Sequence, residues 1–442
     1  MSQMNLHAGN TRDPVQIARD GKVRQAILGL YASAATNWAY ARNALERGLR
    51  GPEARRLLSW QRRFVGEAVY SLVRFRRRLE FAVGSTEPLK LYLAWLRLEL
   101  EPSEVLDAEL RVNGLTDEMF DSLDVRIGAL SLVEQLSIGL SYPDWLVEHL
   151  LRSRSHAETQ ALLSAMNHRA LLAARVNLLK GSREDLIARL AQEKVPAHAA
   201  QYSAAGIILE THVNAYGLEA FKEGRFELQD VGSQLIAEVC APPPRGLVVD
   251  ACAGAGGKTL ALGALLENRG RLIAFDVSER KLTELRERAR RAGLTNVSAS
   301  LIDAENPVLP EKLVGACDRV LCDAPCSGVG VLRRNPEARW RLQPKDLEEL
   351  PPLQLSILKR YAPLVAPGGR LIYGTCTVTP EENDQVVDKF LAADSAFEEV
   401  SIKEILGSAR AREISDDGIR LRVLPHTHDT DGFFAAVMRR KR

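Results

Sequence analysis

Apolar residues recur along this chain with two different spacings. Between residues 14 and about 141 they return every three or four positions, as in QIARDGKVRQAILGLYASAATNWAYARNALER, and this spacing predicts helices throughout. From residue 246 onward, short apolar runs alternate with helical stretches, which is typical of a parallel sheet with crossover helices. The chain therefore predicts an all-helical N-terminal domain and an α/β, Rossmann-like C-terminal domain.

The region between these two parts mixes both patterns. AETQALLSAMNHR is helical, whereas the residues from Ala174 to Leu178 are typical of a short strand. We predict a small α+β connector, whose strand order stays open. Because 442 residues are too many for one core, three domains are expected, at residues 1–142, 143–228 and 229–442.

Five strands are predicted in the C-terminal domain, and four of them end in an aspartate. The strands are GLVVD, RLIAFD, VSASLID, DRVLCD and GGRLIYGTCT, with the aspartates at Asp250, Asp276, Asp303 and Asp323. The helix SERKLTELRERARRAG is expected to begin after Ser278 and to stop at Gly293. IRLRVLP and DGFFAAVMRR form a final pair at the sheet edge. Because ligands of such folds bind beyond the carboxyl ends of the strands, the motifs there are expected to form one site.

A glycine-rich loop follows the first of these strands. It consists of Cys252, Ala253, Gly254, Ala255, Gly256, Gly257, Lys258 and Thr259. A phosphate-binding P-loop needs glycine where Cys252 stands, and a dinucleotide fingerprint needs glycine where Thr259 stands. Asp276 is suited to accept hydrogen bonds from ribose hydroxyls and Asp303 from an adenine amine. Each acid alone is more often a helix cap or strand-end residue, but together they predict a site for S-adenosylmethionine.

All six cysteines lie in the C-terminal half, without the paired spacing of a zinc site or of a disulfide framework. Cys326 in DAPCSG and Cys376 in YGTCT each follow a predicted buried strand. A thiolate adding to C6 of a pyrimidine turns C5 into a nucleophile that can take up a methyl group. Asp323 is placed to donate to or protonate N3, and Lys258 to stabilise a thiolate. The residues alone leave open which cysteine attacks.

Composition and charge narrow the class of protein. With 46% hydrophobic and 26% charged residues, no apolar run of 18 and no signal-peptide stretch, we expect a cytoplasmic protein that does not enter the membrane. The net charge is only +2, but one N-terminal stretch is strongly basic. Its arginines are Arg55, Arg56, Arg62, Arg63, Arg74, Arg76, Arg77 and Arg78. Such a run predicts a face that binds a phosphate backbone, or else a helix surface with ordinary ion pairs.

Two further groups of residues have alternative interpretations. Trp340, flanked by Arg333, Arg334, Arg339 and Arg341, is suited to stack on and clamp RNA, or to anchor the start of a helix by its ring. His426 and His428 lack a third ligand, so no metal site is predicted. An RNA-binding protein without enzymatic activity leaves the cysteine motifs unexplained. An amino-methylating enzyme is expected to carry Asp/Asn-Pro-Pro-aromatic in place of DAPCSG.

The motifs QDVGSQ, DACAGAGGKT, DAPCSG, YGTCT and DGFF together resemble the RNA cytosine-5 methyltransferases of the Nop2/Sun type. The arginine-rich helical region followed by a connector is similar to one bacterial branch, the 16S ribosomal RNA cytosine-5 methyltransferase B family. The N-terminal domain of that family resembles the antitermination factor NusB. One departure is visible, because the family's loop reads CAAPGGKT and this chain has Gly254 and Ala255 in place of Ala and Pro. We expect this loop to be more flexible without ligand.

The resemblance implies a function and a division of roles. The C-terminal domain is then a class I methyltransferase domain that binds S-adenosylmethionine through the glycine loop, Asp276, Asp303 and Asp323. The substrate is 16S ribosomal RNA, naked or in an early small-subunit precursor, and we expect a monomer. Cys376 is implied as the nucleophile and Cys326 as the residue that assists release of the product.

Overall fold

The computed structural model describes residues 20–38, 41–100, 103–211, 213–303 and 308–442, and these divide into two compact units. The helical unit contains the described residues up to Arg169 together with Leu332–Pro344, and the sheet unit contains Ala170–Val331 and Lys345–Arg442. The predicted beginning of the first helix, at residues 14–19, lies outside the described residues. The predicted division at residues 142 and 228 stays a prediction.

The helical unit is built from amphipathic helices. They are α1 (Gly21–Thr36), α2 (Ala41–Arg50), α3 (Pro52–Arg55), α4 (Ser59–Val83), α5 (Pro88–Glu99), α6 (Glu104–Val112), α7 (Asp117–Asp121), α8 (Leu123–Gly128), α9 (Leu132–Gly139), α10 (Asp144–Leu151) and α11 (His156–Ala165). Along α4, Phe64, Ala68 and Leu72 lie on one buried face, because residues four apart share a side of a helix. None of the helices in the described parts of the chain is both long enough and apolar enough to span a bilayer.

The arginine run divides into a largely exposed first half and a partly buried second half. The arginines in the second half of α4 are partly buried and bind acids or backbone carbonyls within the unit. The ion pairs are Arg76 with Glu80, Arg77 with Asp144 and Arg78 with Asp124, at 2.6–2.7 Å. Arg55, Arg56 and Arg63 are exposed. The ion-pair interpretation therefore holds for the second half of the run, and the phosphate-binding face stays a prediction for the first half.

A four-stranded antiparallel sheet opens the sheet unit, with strand order β2-β3-β1-β4. Its elements are β1 (Leu172–Val176), α12 (Arg183–Gln192), β2 (Ala197–Ala199), β3 (Gly206–Leu209), α13 (Glu219–Lys222) and β4 (Phe226–Leu228). Phe221 and Phe226 meet edge to face in its core, with ring centroids 5.4 Å apart. The predicted strand at residues 174–178 is thus β1, which begins two residues earlier.

A second, larger sheet follows, with the order β10-β12-β9-β8-β5-β6-β7 and with β11 paired to β12. The elements of this part of the chain are α14 (Val231–Cys240), β5 (Leu247–Asp250), α15 (Gly257–Leu265), β6 (Arg271–Asp276), α16 (Glu279–Ala292), β7 (Val297–Leu301), β8 (Cys317–Asp323), α17 (Ala338–Arg341), α18 (Pro344–Tyr361), β9 (Val365–Thr375), α19 (Asp384–Ala393), β10 (Phe397–Val400), α20 (Ile402–Leu406), α21 (Ser408–Glu413), β11 (Leu421–Val423), α22 (Pro425–His428) and β12 (Phe433–Arg440). Of these, α17 belongs to the helical unit. Strands β5 to β9 pair in parallel, whereas β10, β11 and β12 are antiparallel.

The strand ends lie close to their predicted positions. Strands β5, β6 and β8 end at Asp250, Asp276 and Asp323, whereas β7 ends two residues before Asp303. The predicted helical N-terminal and α/β C-terminal architecture is confirmed. Strand β10 was not predicted.

The segment Leu332–Pro344 lies between β8 and α18 in the chain but belongs to the helical unit. Arg339 in this segment is fully buried, and its Nη1 donates to the Ser141 carbonyl (3.0 Å) and to Asn167 Oδ1 (2.8 Å). Its guanidinium lies 3.9 Å from the centre of the Tyr142 ring. Trp340 packs on the helical core and donates to a backbone carbonyl of α4. The RNA clamp predicted for Arg339 and Trp340 is therefore wrong, because both side chains pack and hydrogen-bond within the helical unit. The alternative, a helix start anchored by the Trp340 ring, fits these contacts.

Asp250, the last residue of β5, is a buried carboxyl group. Its Oδ2 accepts a hydrogen bond from the Thr259 hydroxyl at 2.7 Å. Burial raises the pKa of Asp250 to about 7, because the charged form loses its hydration. The stability of the sheet unit is therefore expected to depend on pH near neutrality.

We predict that Arg339→Ala destabilises the helical unit by about 2–4 kcal/mol, since it leaves buried acceptors without a donor. All five tryptophans lie in residues of this unit, so tryptophan fluorescence during urea unfolding reports on it selectively. Arg341→Ala, at an exposed position two residues further on, is the matched control. Equal losses in the two variants contradict the prediction.

We predict that Asp250→Asn gains stability relative to the wild type as pH rises. The folded pKa is above the unfolded value near 4, so folded Asp250 holds more protons between about pH 4 and 7. In that window wild-type stability falls by up to about 1.4 kcal/mol per pH unit, whereas asparagine does not titrate. Calorimetric unfolding of both proteins at pH 4.5, 6 and 7.5 measures this. If the difference in free energy of unfolding between the two proteins is the same at all three pH values, the prediction is contradicted.

Candidate active site

The glycine loop joins β5 to α15 in a conformation that needs glycine. Gly256 has a φ of +88°, and a Cβ there would lie 2.7 Å from Leu285 and 2.9 Å from Leu260. At Gly254, with φ +55°, no atom lies within 4 Å of the Cβ position. The loop is thus closed on the side of α16 and open at Gly254, where a ligand can approach the backbone.

Asp276 is held against this loop. Its Oδ2 accepts from the Gly254 amide at 2.8 Å, and its Oδ1 accepts from the Ser278 amide at 2.9 Å. Asp303 is exposed beyond the end of β7. A buried carboxylate beside an open glycine backbone fits the ribose of an adenosyl group, whose hydroxyls donate hydrogen bonds.

Two arginines bind carbonyls of the loop, a restraint that its sequence did not indicate. Arg288 of α16 donates to the Ala255 carbonyl, and Arg175 of β1 donates to the Gly257 carbonyl, both at 2.7 Å. Arg288 also pairs with Glu227 at 3.1 Å. Arg175 of the four-stranded sheet and Arg288 of α16 therefore restrain the glycine loop from outside it. The greater flexibility of the loop without ligand stays a prediction.

Lys258 and Asp323 form an ion pair between the glycine loop and the end of β8. The distance from Lys258 Nζ to Asp323 Oδ2 is 2.7 Å, and the lysine is largely buried. Burial opposes its charge, but Asp323 outweighs this and raises the pKa of Lys258. The ammonium group also lies 5.5 Å from the centre of the Phe433 ring, in the DGFF motif. Lys258 is therefore charged at neutral pH.

The two cysteines meet beyond the ends of β8 and β9. We name residues 324–331 the first cysteine loop and residues 376–380 the second cysteine loop. The sulfur atoms of Cys326 and Cys376 are 3.3 Å apart, and both residues are partly exposed. The contact with Cys376 and burial raise the pKa of Cys326 well above its usual range. Cys326 therefore keeps its proton at neutral pH.

The DGFF motif lies directly against both cysteine loops. The Gly330 amide donates to the Cys376 carbonyl at 3.0 Å, and the Gly432 amide donates to the Gly330 carbonyl at 2.8 Å. A Cβ on Gly330 would lie 2.1 Å from the Gly432 carbonyl oxygen. This close backbone contact explains why both positions are glycine.

The QDVGSQ motif has a structural role beside the site. The Asp230 carboxylate caps α14 through the Gly232 amide at 2.8 Å and also accepts from the Asp431 amide at 3.2 Å. It thereby ties the start of α14 to the DGFF motif. Of the other predicted residues, Cys252 is partly buried and Ala253 is buried.

Sequence reasoning missed Glu382, which follows the second cysteine loop. Its side chain is fully buried and accepts hydrogen bonds from both cysteine loops. The only signal in the sequence was an acid six residues after Cys376, in the polar stretch TVTPEEN. That stretch resembles an ordinary helix start, so it did not mark the residue.

Known proteins share this architecture. The family described as 16S rRNA methyltransferase RsmB/F matches residues 237–439, and an RsmF/B-like ferredoxin-like domain matches residues 142–216. The crystal structure of PH0851 superposes with a TM-score of 0.77 over 95% of this chain and 98% of its own, at 26% identity. NSun6 from Pyrococcus horikoshii with SFG shares the fold at 22% identity and a TM-score of 0.58, over 68% of this chain and 99% of its own.

A curated bacterial relative matches most of the chain. The probable ribosomal RNA small subunit methyltransferase B of Synechocystis is 35% identical over 312 residues, which are 70% of this chain and 69% of the relative. The match extends over much more than the sheet that carries the site, and the predicted family is confirmed. The chain belongs to the 16S rRNA methyltransferase RsmB/F family and is an S-adenosylmethionine-dependent methyltransferase that acts on RNA.

Proposed function

We propose that this enzyme methylates C5 of a specific cytosine in 16S ribosomal RNA through a transient bond between Cys376 and C6 of the base. The observation that carries the proposal is the 3.3 Å distance between the sulfurs of Cys326 and Cys376. They lie at the edge of the sheet where Lys258 and Asp323 also meet. Two adjacent thiols beside an ion pair suit covalent activation of a pyrimidine.

The residues act in sequence on the base. The Cys376 thiolate adds to C6, so that a C6–S bond forms and the electrons of the C5=C6 bond become available at C5. The proton that Lys258 shares with Asp323 in the ion pair lets Asp323 donate to or protonate N3, which favours this addition, and the proton returns to the pair when the C6–S bond breaks. S-adenosylmethionine, when bound, supplies the methyl group that C5 takes up. The C5 proton then passes to a base, the C5=C6 bond re-forms, and the C6–S bond breaks to return the Cys376 thiolate.

The resemblance of YGTCT to the family's motif is the ground for Cys376 as the nucleophile, and the proton that Cys326 retains is compatible with that assignment. Once Cys376 is bonded to C6, it carries no charge and no longer opposes ionisation of Cys326. Cys326 can then ionise and assist release of the product. Lys258 and a thiolate at Cys376 stabilise each other, since Cys376 contributes to the raised pKa of Lys258.

The cofactor is held, in our proposal, by residues that the sequence analysis named. The glycine loop from Cys252 to Lys258 provides the backbone surface, Asp276 binds the ribose and Asp303 the adenine. Asp323 completes the site next to the reacting base. The open space at Gly254 and the anchored Asp276 support this assignment.

The RNA is bound, in our proposal, with the help of a NusB-like helical unit. The exposed Arg55, Arg56 and Arg63 are suited to contact phosphates. The enzyme acts as a cytoplasmic monomer on naked 16S RNA or an early small-subunit precursor. The target cytosine leaves its stack, which costs least where the RNA is unpaired.

We predict that Cys326→Ala traps a protein–RNA adduct when S-adenosylmethionine is present, because the Cys376–C6 bond forms but is not released. Labelled 16S transcript on a denaturing gel reveals the adduct as a slower band. Cys376→Ala is expected to give no such band. Reversed behaviour of the two variants contradicts the assignment of the cysteines.

We predict that Cys376→Ser lowers the release of tritium from transcript labelled at C5 of cytosine by at least about a thousandfold, since a serine hydroxyl is a far weaker nucleophile than a thiolate. Cys240→Ala, which removes a buried thiol of the same unit, is the control. Undiminished tritium release by Cys376→Ser is incompatible with the covalent route.

A further inference from the structure

We propose that the Glu382 carboxylate is a positioning residue that holds the two cysteine loops at the separation the reaction needs. This inference rests on the proposed function, since it assigns Glu382 a role in a reaction that uses both thiols. Glu382 does not contact the reacting base in this account. It acts through the loops that carry Cys326 and Cys376.

The first cysteine loop is bound to Glu382 at the residue after Cys326. The Ser327 amide donates to Glu382 Oε2 at 2.8 Å, and the Ser327 hydroxyl donates to Oε1 at 2.5 Å. Gln354 of α18 donates from Nε2 to Oε2 and to the Pro325 carbonyl, both at 3.0 Å. Residues on both sides of Cys326 are therefore fixed by the same carboxylate and its amide neighbour.

The second cysteine loop is bound to the same carboxylate at the residue after Cys376. The Thr377 hydroxyl donates to Oε1 at 3.1 Å, and the Thr379 hydroxyl donates to Oε1 at 2.9 Å. The Tyr373 hydroxyl of β9 donates to the Glu382 backbone carbonyl at 2.6 Å. A single side chain thus connects the residues that directly follow both cysteines.

The chemistry of the contacts requires an ionised carboxylate. Both oxygens of the Glu382 side chain act only as acceptors, since Oε1 accepts three hydrogen bonds and Oε2 accepts two. The residues that donate these bonds are buried. Glutamine can accept at only one of these atoms and turns the other into a donor that faces donors. None of the five donors is a lysine or arginine, so the carboxylate is held by uncharged hydrogen-bond donors.

Such a clamp matters most at the release step. Both sulfurs act there, because the bond between Cys376 and C6 breaks while Cys326 assists release. A displacement of about 1 Å at reacting groups can lower a rate by about a hundredfold. Loosening the clamp is therefore expected to slow release more than addition, so that the covalent adduct accumulates.

The test compares Glu382→Gln with Glu398→Gln, a control in which the lost carboxylate pairs with Arg439 on the neighbouring strand. We expect Glu382→Gln to lower kcat at least about a hundredfold, with the Kd for S-adenosylmethionine and the KM for RNA within about threefold of wild type. The adduct is expected to accumulate during turnover. Glu398→Gln is expected to match wild type.

A second measurement reports on the distance between the thiols without RNA. In a glutathione buffer, Cys326 and Cys376 form a disulfide as one glutathione disulfide is reduced to two glutathiones. The equilibrium constant gives the effective concentration of one thiol at the other. We expect at least about a tenfold decrease in Glu382→Gln. Wild-type values of both kcat and this constant in Glu382→Gln overturn the proposal.

Ser327→Ala keeps the charge of Glu382 and removes only the hydroxyl donor to Oε1. This variant tests the role of Glu382 if Glu382→Gln fails to bind S-adenosylmethionine. We expect a smaller decrease in the same two quantities, and wild-type values overturn the proposal. A wild-type enzyme that does not methylate C5 defeats the proposed function. The glutathione equilibrium still measures the clamp in that case, so the two failures are distinguishable.

Discussion

Parallel pairing of β8 with β9 is the constraint on which the site depends. The register sets Cys322 opposite Tyr373 and Asp323 opposite Gly374, so both strands end at the same level of the sheet. Neighbouring parallel strands lie about 5 Å apart, and the chain that follows each one emerges at the same edge. The two cysteines are fifty residues apart in sequence, and this pairing brings their sulfurs together. The glycine loop joins them because β5 is the next strand on the other side of β8.

The sequence predicted three of the strand ends well, since buried parallel strands read as near-continuous apolar runs and an acid follows each of these runs. Asp250, Asp276 and Asp323 terminate β5, β6 and β8 as expected. The four-stranded sheet could not be ordered because its strands have only three to five residues, and their pairing partners are distant. The motifs of the candidate site were therefore predictable from the sequence. The residues that hold those motifs in place, such as Arg175, Arg288 and Glu382, were not.

Residues whose roles depend on partners distant in the chain were the ones misjudged or missed. Arg339 looked like a surface cation, but its partners lie about two hundred residues earlier in the chain. Glu382 looked like a helix-start acid, although its five donors come from three separate segments. Arginine and glutamate are usually exposed, and only the folded arrangement shows that these two are buried with hydrogen-bond partners.

The segment Leu332–Pro344 makes the helical unit discontinuous along the chain. The ribosome produces α1 to α11 first, but the buried Arg339 and the anchoring Trp340 emerge only after β1 to β8 have been made. The helical unit can therefore not reach its final packing early in translation. It is completed only when the segment Leu332–Pro344, from the second half of the chain, has been synthesised. The carbonyls of α4 and of Ser141 and the Asn167 side chain therefore lack these donors until Leu332–Pro344 has left the exit tunnel, which links the maturation of the two units in time.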